Sequence, residues 1–173
     1  TLVMLSPFGF SPTGEAFNLS MEEVATSVAI ALKADKLIFV TEVRGILQSI
    51  VADPARAVEL EAHQHDPDEE VDQELALADA KRLLAALPNP SQPTDTAFYL
   101  QHGVNAAEGG VERVHIIPYR VDGALLMEVF THDGVGTMIV DEKLESLREA
   151  TPDDVGGILQ LIEPFEQDGT LVK

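Results

Sequence analysis

The sequence predicts an α/β fold: three layers, α/β/α, around a mainly parallel sheet. Three observations carry that expectation. An apolar run at helical spacing, MEEVATSVAIALKA, leads directly into a continuous run, DKLIFVTEV, rich in Ile, Phe and Val. Helical periodicity followed by an unbroken apolar run is the pattern of a helix feeding a buried parallel strand. A second strand–turn–helix–glycine loop–strand series runs from Gly109 to Val140. The hydrophobic content, 45% of 173 residues, suffices for a sizeable core.

Residues 1–5, TLVML, read as a short buried strand in the centre of the sheet. The stretch SPFGFSPTGEAFNLS reads as a turn-rich loop. Ser20 is placed to cap the helix after it, with Glu23 at capping-box spacing, acids in the first turn and Lys33 in the last. The first 50 residues therefore read strand–loop–helix–strand, a βαβ unit with a right-handed crossover. Residues 59–79 carry nine acids and no Lys or Arg, which suits a solvated, mobile segment. His63, His65 and Asp66 lie within it, an exposed tract that attracts adventitious metal, and no functional metal site is expected. Helical periodicity resumes at LALADAKRLLAAL. A Pro-rich break follows, then a helix ending at Gly109 and Gly110, and VERVHIIPYRV as a strand pair or hairpin. GALLMEVF is a short helix and GTMIV an edge or closing strand. Residues 141–146 have the composition of a linker. LREA reads as a strand, and Thr151 as an N-cap with Pro152 and Asp154 behind it, opening a helix over DVGGILQLIEPF. Both chain ends fall in mid-pattern, so the chain reads as a piece of a longer polypeptide.

The net charge of −19 and a pI near 4.3 exclude a basic face for nucleic acid and an affinity for anionic membranes. No apolar run approaches the roughly 18 to 20 residues that span a bilayer. The absence of cysteine removes disulfides, thiolate metal sites and a thiol nucleophile, and fits a cytoplasmic location. None of the patterns GxGxxG, GxxxxGKS/T or GxSxG occurs. What remains is an acid, Glu128, inside an apolar helix. A histidine, His115, lies in the strand before it and a loop with Gly134 and Gly136 behind it. A carboxylate facing a glycine loop at a helix C-terminus suits a small ligand that carries a cation. Helix-end carbonyls add negative potential, and the glycines let backbone approach closely.

At HIIPYRVDGALLMEVFTHDGVGTMI, and again at NLSMEEVATSVAIALKADKLIFVTEVRGIL, the chain resembles the amino-acid kinase family, in its N-acetylglutamate kinase and N-acetylglutamate synthase branch. The segment after Leu147 resembles the opening of a GNAT-type acetyltransferase domain. A kinase-like domain running into an acetyltransferase is the architecture of the bacterial synthases. The resemblance implies a partial amino-acid kinase fold over residues 1–140, a linker at 141–146 and the start of a GNAT-type domain at 147–173. It implies a parent enzyme that acetylates the amine of L-glutamate with acetyl-CoA, the first step of arginine biosynthesis. Under it this piece binds no cofactor, holds no catalytic residue and senses the effector L-arginine. His115, Glu128, Gly134 and Gly136 match arginine-contacting positions. Gln48 stands where arginine-sensitive kinases carry a Lys. Asn18, Thr41 and Glu42 match a substrate and nucleotide zone that is vestigial in a synthase.

Two alternatives accompany this expectation: an N-acetylglutamate kinase, and a non-catalytic ligand-binding or assembly module. Phosphoryl transfer needs cations on the phosphates. The kinases supply a Lys ahead of the GGV strand, whereas this chain has no Lys or Arg between Arg82 and Arg113. A half-domain would also leave an open sheet edge, so a homo-oligomer is expected.

Overall fold

The computed structural model describes residues 2–62, 70–88, 93–131, 134–141, 151 and 155–167. The chain forms two compact units, Thr1–Lys143 and Leu144–Lys173.

In the first unit a hairpin comes first, from β1 (Phe8–Phe10) and β2 (Ala16–Asn18). Helix α1 (Met21–Leu32) follows, and its first turn is capped where the Ser20 hydroxyl accepts from the Glu23 amide at 3.3 Å. That hydroxyl donates to Glu22 Oε2 at 2.7 Å. Lys33 sits beyond the last turn as the C-cap, at φ 51, rather than inside it. Strand β3 (Lys36–Thr41), α2 (Gln48–Ala52), a 3₁₀ turn (Pro54–Arg56) and α3 (Ala57–Ala62) come next. They are followed by β4 (Glu74–Ala76), α4 (Leu77–Ala86), α5 (Asp95–Glu108), β5 (Arg113–Pro118), α6 (Ala124–Phe130) and β6 (Thr137–Val140). The second unit contains α7 (Val155–Gln167). Pro152, Asp154 and the LREA segment lie outside the described residues.

The main sheet has the order β3-β5-β6-β4. β3 pairs with β5 and β4 with β6 in parallel, while β5 and β6 are antiparallel. The α/β class and the mostly parallel sheet are as the sequence predicts. Three layers follow from the two-residue alternation of β5. Val114 and Ile116 enter the main core with Ala29, Leu83, Leu100 and Val104 of α1, α4 and α5. His115 points to the opposite face, where it meets α6. Leu100, Ile116 and Ile139 are fully buried.

Several sequence expectations are corrected. Residues 2–5 form no strand and are exposed, with Leu2 and Met4 both at 88%. An apolar run becomes a strand only where a neighbour takes up its backbone groups, and among the described residues none does. The parallel pairing therefore joins β3 to β5, not residues 1–5 to β3. The SPFGFSPTGEAFNLS loop contains the β1–β2 hairpin. β3 is not covered on both faces: Leu37, Phe39 and Thr41 are buried, while Lys36 and Val40 are exposed. Parts of the acidic stretch belong to the fold: residues 59–62 lie in α3. Residues 70–73 are tied by Gln48 N to Glu70 O at 3.0 Å and Asp72 N to Ile46 O at 2.7 Å. Glu74–Ala76 then join the sheet, so the helix starts at Leu77 rather than Leu75. His63, His65 and Asp66 lie outside the described residues. VERVHIIPYRV gives one strand rather than a pair. β6 lies between β5 and β4 and is no edge.

Candidate functional site

Helix α6 is inverted. Its seven residues expose Leu126 (63%) and Phe130 (78%) and also Leu125, Met127 and Val129, while Ala124 and Glu128 turn inward. A seven-residue helix is too short to hold itself. Gly123 starts it at φ 73, and the Thr131 hydroxyl donates to Met127 O at its end. Glu128 is what anchors its inner face.

The Glu128 side chain is 4% exposed, and so is that of His115. Glu128 Oε1 lies 2.8 Å from His115 Nδ1. Oε2 accepts from the backbone amides of Val135 at 2.9 Å and Gly136 at 3.2 Å. A carboxylate offers about four acceptor positions. Among the described residues three are filled, which leaves one on the oxygen facing His115. Burial, the largest single influence, pushes the Glu128 carboxyl up. The His115 hydrogen bond, the Val135 amide, the His115 charge and the Gly136 amide together outweigh it and hold the carboxyl below its ordinary range. His115 Nε2 is buried and has no hydrogen-bond partner among the described residues.

Both loop glycines are required for close approach rather than for an unusual backbone angle. A Cβ on Gly134 would collide with the Glu128 carboxylate, and one on Gly136 with the Ile116 carbonyl and Ile117 Cγ2. Thr137, fully buried, pins the far side of the loop. Its hydroxyl accepts from Ile46 N at 2.7 Å and donates to Asp72 O at 2.6 Å. The Gln73 amide reaches Gly134 O at 3.5 Å. Residues 72 and 73 of the acidic stretch thus abut the loop that serves Glu128. Sequence reasoning passed over Thr137; its signal was a lone hydroxyl opening an apolar strand directly after Gly136.

His115, Glu128, Gly134 and Gly136 are therefore brought together. Asn18, Thr41 and Glu42 are not gathered with them. Asn18 is an exposed residue of β2 paired with Phe8. The buried Thr41 hydroxyl donates to Val43 O at 3.0 Å. Glu42 is exposed, and accepts from Arg120 at 2.7 Å and the Tyr119 hydroxyl at 3.1 Å. The Arg120 hydrogen bond leads in lowering the Glu42 carboxyl. Neither Tyr119 nor Arg120 had a sequence signal, because their meeting with Glu42 depends on the β3–β5 register. Gln48 sits at the start of α2. An apolar groove of about 450 Å³ follows β3, lined among others by Leu5, Met21, Val28, Ile38 and Thr41. His115 and Glu128 are not part of its wall. Among the described residues no group of three or more His, Asp or Glu could hold a metal, and no helix is long and apolar enough to cross a membrane.

Residues 1–118 match the model of the amino acid kinase family. The chain belongs to that family. It is 54% identical over 171 residues to an amino-acid acetyltransferase of Ralstonia nicotianae, covering 99% of this chain and 33% of that protein. It is 43% identical to an amino-acid acetyltransferase of Aeromonas salmonicida, covering 99% of this chain and 35% of that one. It thus spans about a third of the length of the curated relatives it matches. Among solved structures it is similar to N-acetylglutamate synthase from Neisseria gonorrhoeae complexed with coenzyme A and L-arginine. That match has a TM-score of 0.64 at 34% identity and covers 92% of this chain and 32% of that one. The family model stops at residue 118, whereas the similarity to acetyltransferases continues through the Glu128 loop.

Proposed function

We propose that the chain is the arginine-sensing portion of an N-acetylglutamate synthase, and that L-arginine is held at His115, Glu128, Gly134 and Gly136. The observation that carries this reading is the buried Glu128 carboxylate. A carboxylate taken out of water is expensive unless paired, and here it keeps one acceptor position beside backbone that two glycines bring close. A guanidinium is the cation whose planar N–H fork suits such a partner. The similarity to a synthase structure complexed with coenzyme A and L-arginine supports the sensing reading.

Under this reading residues 1–140 are the sensing domain, 141–146 a linker and 147–173 the opening of a GNAT-type domain. The parent uses L-glutamate and acetyl-CoA in the cytoplasm as a homo-oligomer, and arginine inhibits it by feedback. We assign no catalytic residue within this chain. Calorimetric titration with L-arginine, with L-lysine and N-acetylglutamate as controls, tests the reading. Selective arginine binding that Glu128→Gln abolishes is the expected result. Equal binding of lysine, or arginine binding unaffected by that substitution, overturns it.

A further inference from the structure

The loop residues Gly134, Val135 and Gly136 bring no polar side chain that could fix them. His132 and Asp133 lie outside the described residues. Yet the Val135 and Gly136 amides must keep their direction to hold Glu128 Oε2 at 2.9 and 3.2 Å, because a hydrogen bond weakens steeply with angle. The next residue supplies the restraint. On one side the β5–β6 pairing sets Thr137 opposite Ile116. On the other its hydroxyl accepts from the Ile46 amide at 2.7 Å and donates its one O–H to Asp72 O at 2.6 Å. Both bonds end on backbone, and a β-branched side chain has few rotamers, so the hydroxyl has little room to move. Gly45 lets the backbone come this close: at φ 137, a Cβ there would lie 2.8 Å from Thr137 Oγ1 and 3.0 Å from Thr137 N. One residue on, Met138 N donates to Gln73 O at 2.9 Å.

Resting on the arginine-sensing reading above, we propose that Thr137 is a positioning residue of the arginine site. Fully buried behind the loop, it acts through the Val135 and Gly136 amides and the Glu128 carboxylate rather than by contact with the ligand. Holding Oε2 aims Oε1, the oxygen with the remaining acceptor position, and a planar fork rewards that aim. The same hydroxyl joins the loop to Ile46 and Asp72, which lie 91 and 65 residues away in the chain. A ligand that draws on Glu128 therefore pulls on Thr137, and the Ile46 amide registers it.

The test is calorimetric titration with L-arginine of the unmodified chain, Thr137→Val, Thr137→Ser and Leu37→Ala, with amide resonances of the unmodified chain followed through the same titration. Leu37 is buried on the main-core face of the sheet, opposite the face of His115, so truncating it lowers stability without touching the loop. Thr137→Val, shown folded by circular dichroism, should bind arginine about ten-fold or more weakly, the scale found at metal sites when a residue that orients a ligand group is lost. Thr137→Ser, which keeps the hydroxyl, and Leu37→Ala should stay within about two-fold of the unmodified chain. The Ile46, Val135 and Gly136 amide resonances should move along one saturation curve. Unchanged affinity in Thr137→Val overturns the proposal and leaves the sensing reading standing, and so does an equal loss in Leu37→Ala. Where Thr137→Val does not fold, the resonances decide: an Ile46 amide that stays still while those of Val135 and Gly136 move overturns it. Absence of arginine binding by the unmodified chain overturns the sensing reading and this inference together.

Discussion

Truncating Glu128 is the most direct probe of the site. Glu128→Ala removes the acceptor for three donors at once: His115 Nδ1 and the amides of Val135 and Gly136. Each buried group left unpaired costs on the order of 1–3 kcal/mol, and breaking a buried charged pair from one side costs about 3–5 kcal/mol in all. Glu128→Gln is gentler. The amide oxygen can still face the two backbone amides, and its nitrogen can donate to His115 in the other tautomer. Only the charge-assisted share is lost, about 1–2 kcal/mol. Urea unfolding at neutral pH, read as a shift in midpoint at constant slope, measures both. The pH dependence has a definite sign. Because the folded carboxyl is held below its ordinary value of 4.5, its contribution is fully present above that value. It is lost as pH falls through the lower folded value. Glu128→Gln should therefore be less sensitive to acid over that window than the parent chain. A loss below about 0.5 kcal/mol for Glu128→Ala, the range of ordinary surface changes, would refute the buried three-donor geometry.

Two further outcomes follow from the loop. Thr137→Val keeps the shape but leaves Ile46 N–H and Asp72 C=O without their partner, so it should cost about 2–4 kcal/mol in the same unfolding assay, whereas Thr137→Ser should stay within about 1 kcal/mol. Gly136→Ala drives a methyl into the Ile116 carbonyl, which is backbone and cannot turn aside. It should lower stability by about 1–3 kcal/mol and, in an amide-exchange experiment, loosen the β5–β6 pairing.

Much of the site was legible in the chain. An acid at helical position 128 amid Leu, Met and Val breaks the apolar pattern. A buried acid must be paired, but the adjoining strand offers both Arg113 and His115, and only the structure shows that His115 is the partner. The helices at 21–32 and 95–108 were legible for local reasons. Ser20 and Thr94 cap them by accepting from amides three residues on, and Gly109 ends the second. β4 was not legible. Glu74, Leu75 and Ala76 carry no strand propensity and continue into a helical run, and they become a strand because β6 presents a free edge in register.

By itself the sequence determined what local physical chemistry can decide: the α/β class, the helix ends, the acidic and cysteine-free character and the few polar residues in apolar company. Only the tertiary structure decided which strands have partners. It left the apolar residues 2–5 exposed, set β6 inside the sheet, turned α6 so that its acid faces inward, and gave the ends of β3 and β5 the Glu42–Arg120 pair. The reason is that strand pairing and burial are properties of neighbours far apart in the chain. The same short apolar run is a strand beside a free edge and a coil without one.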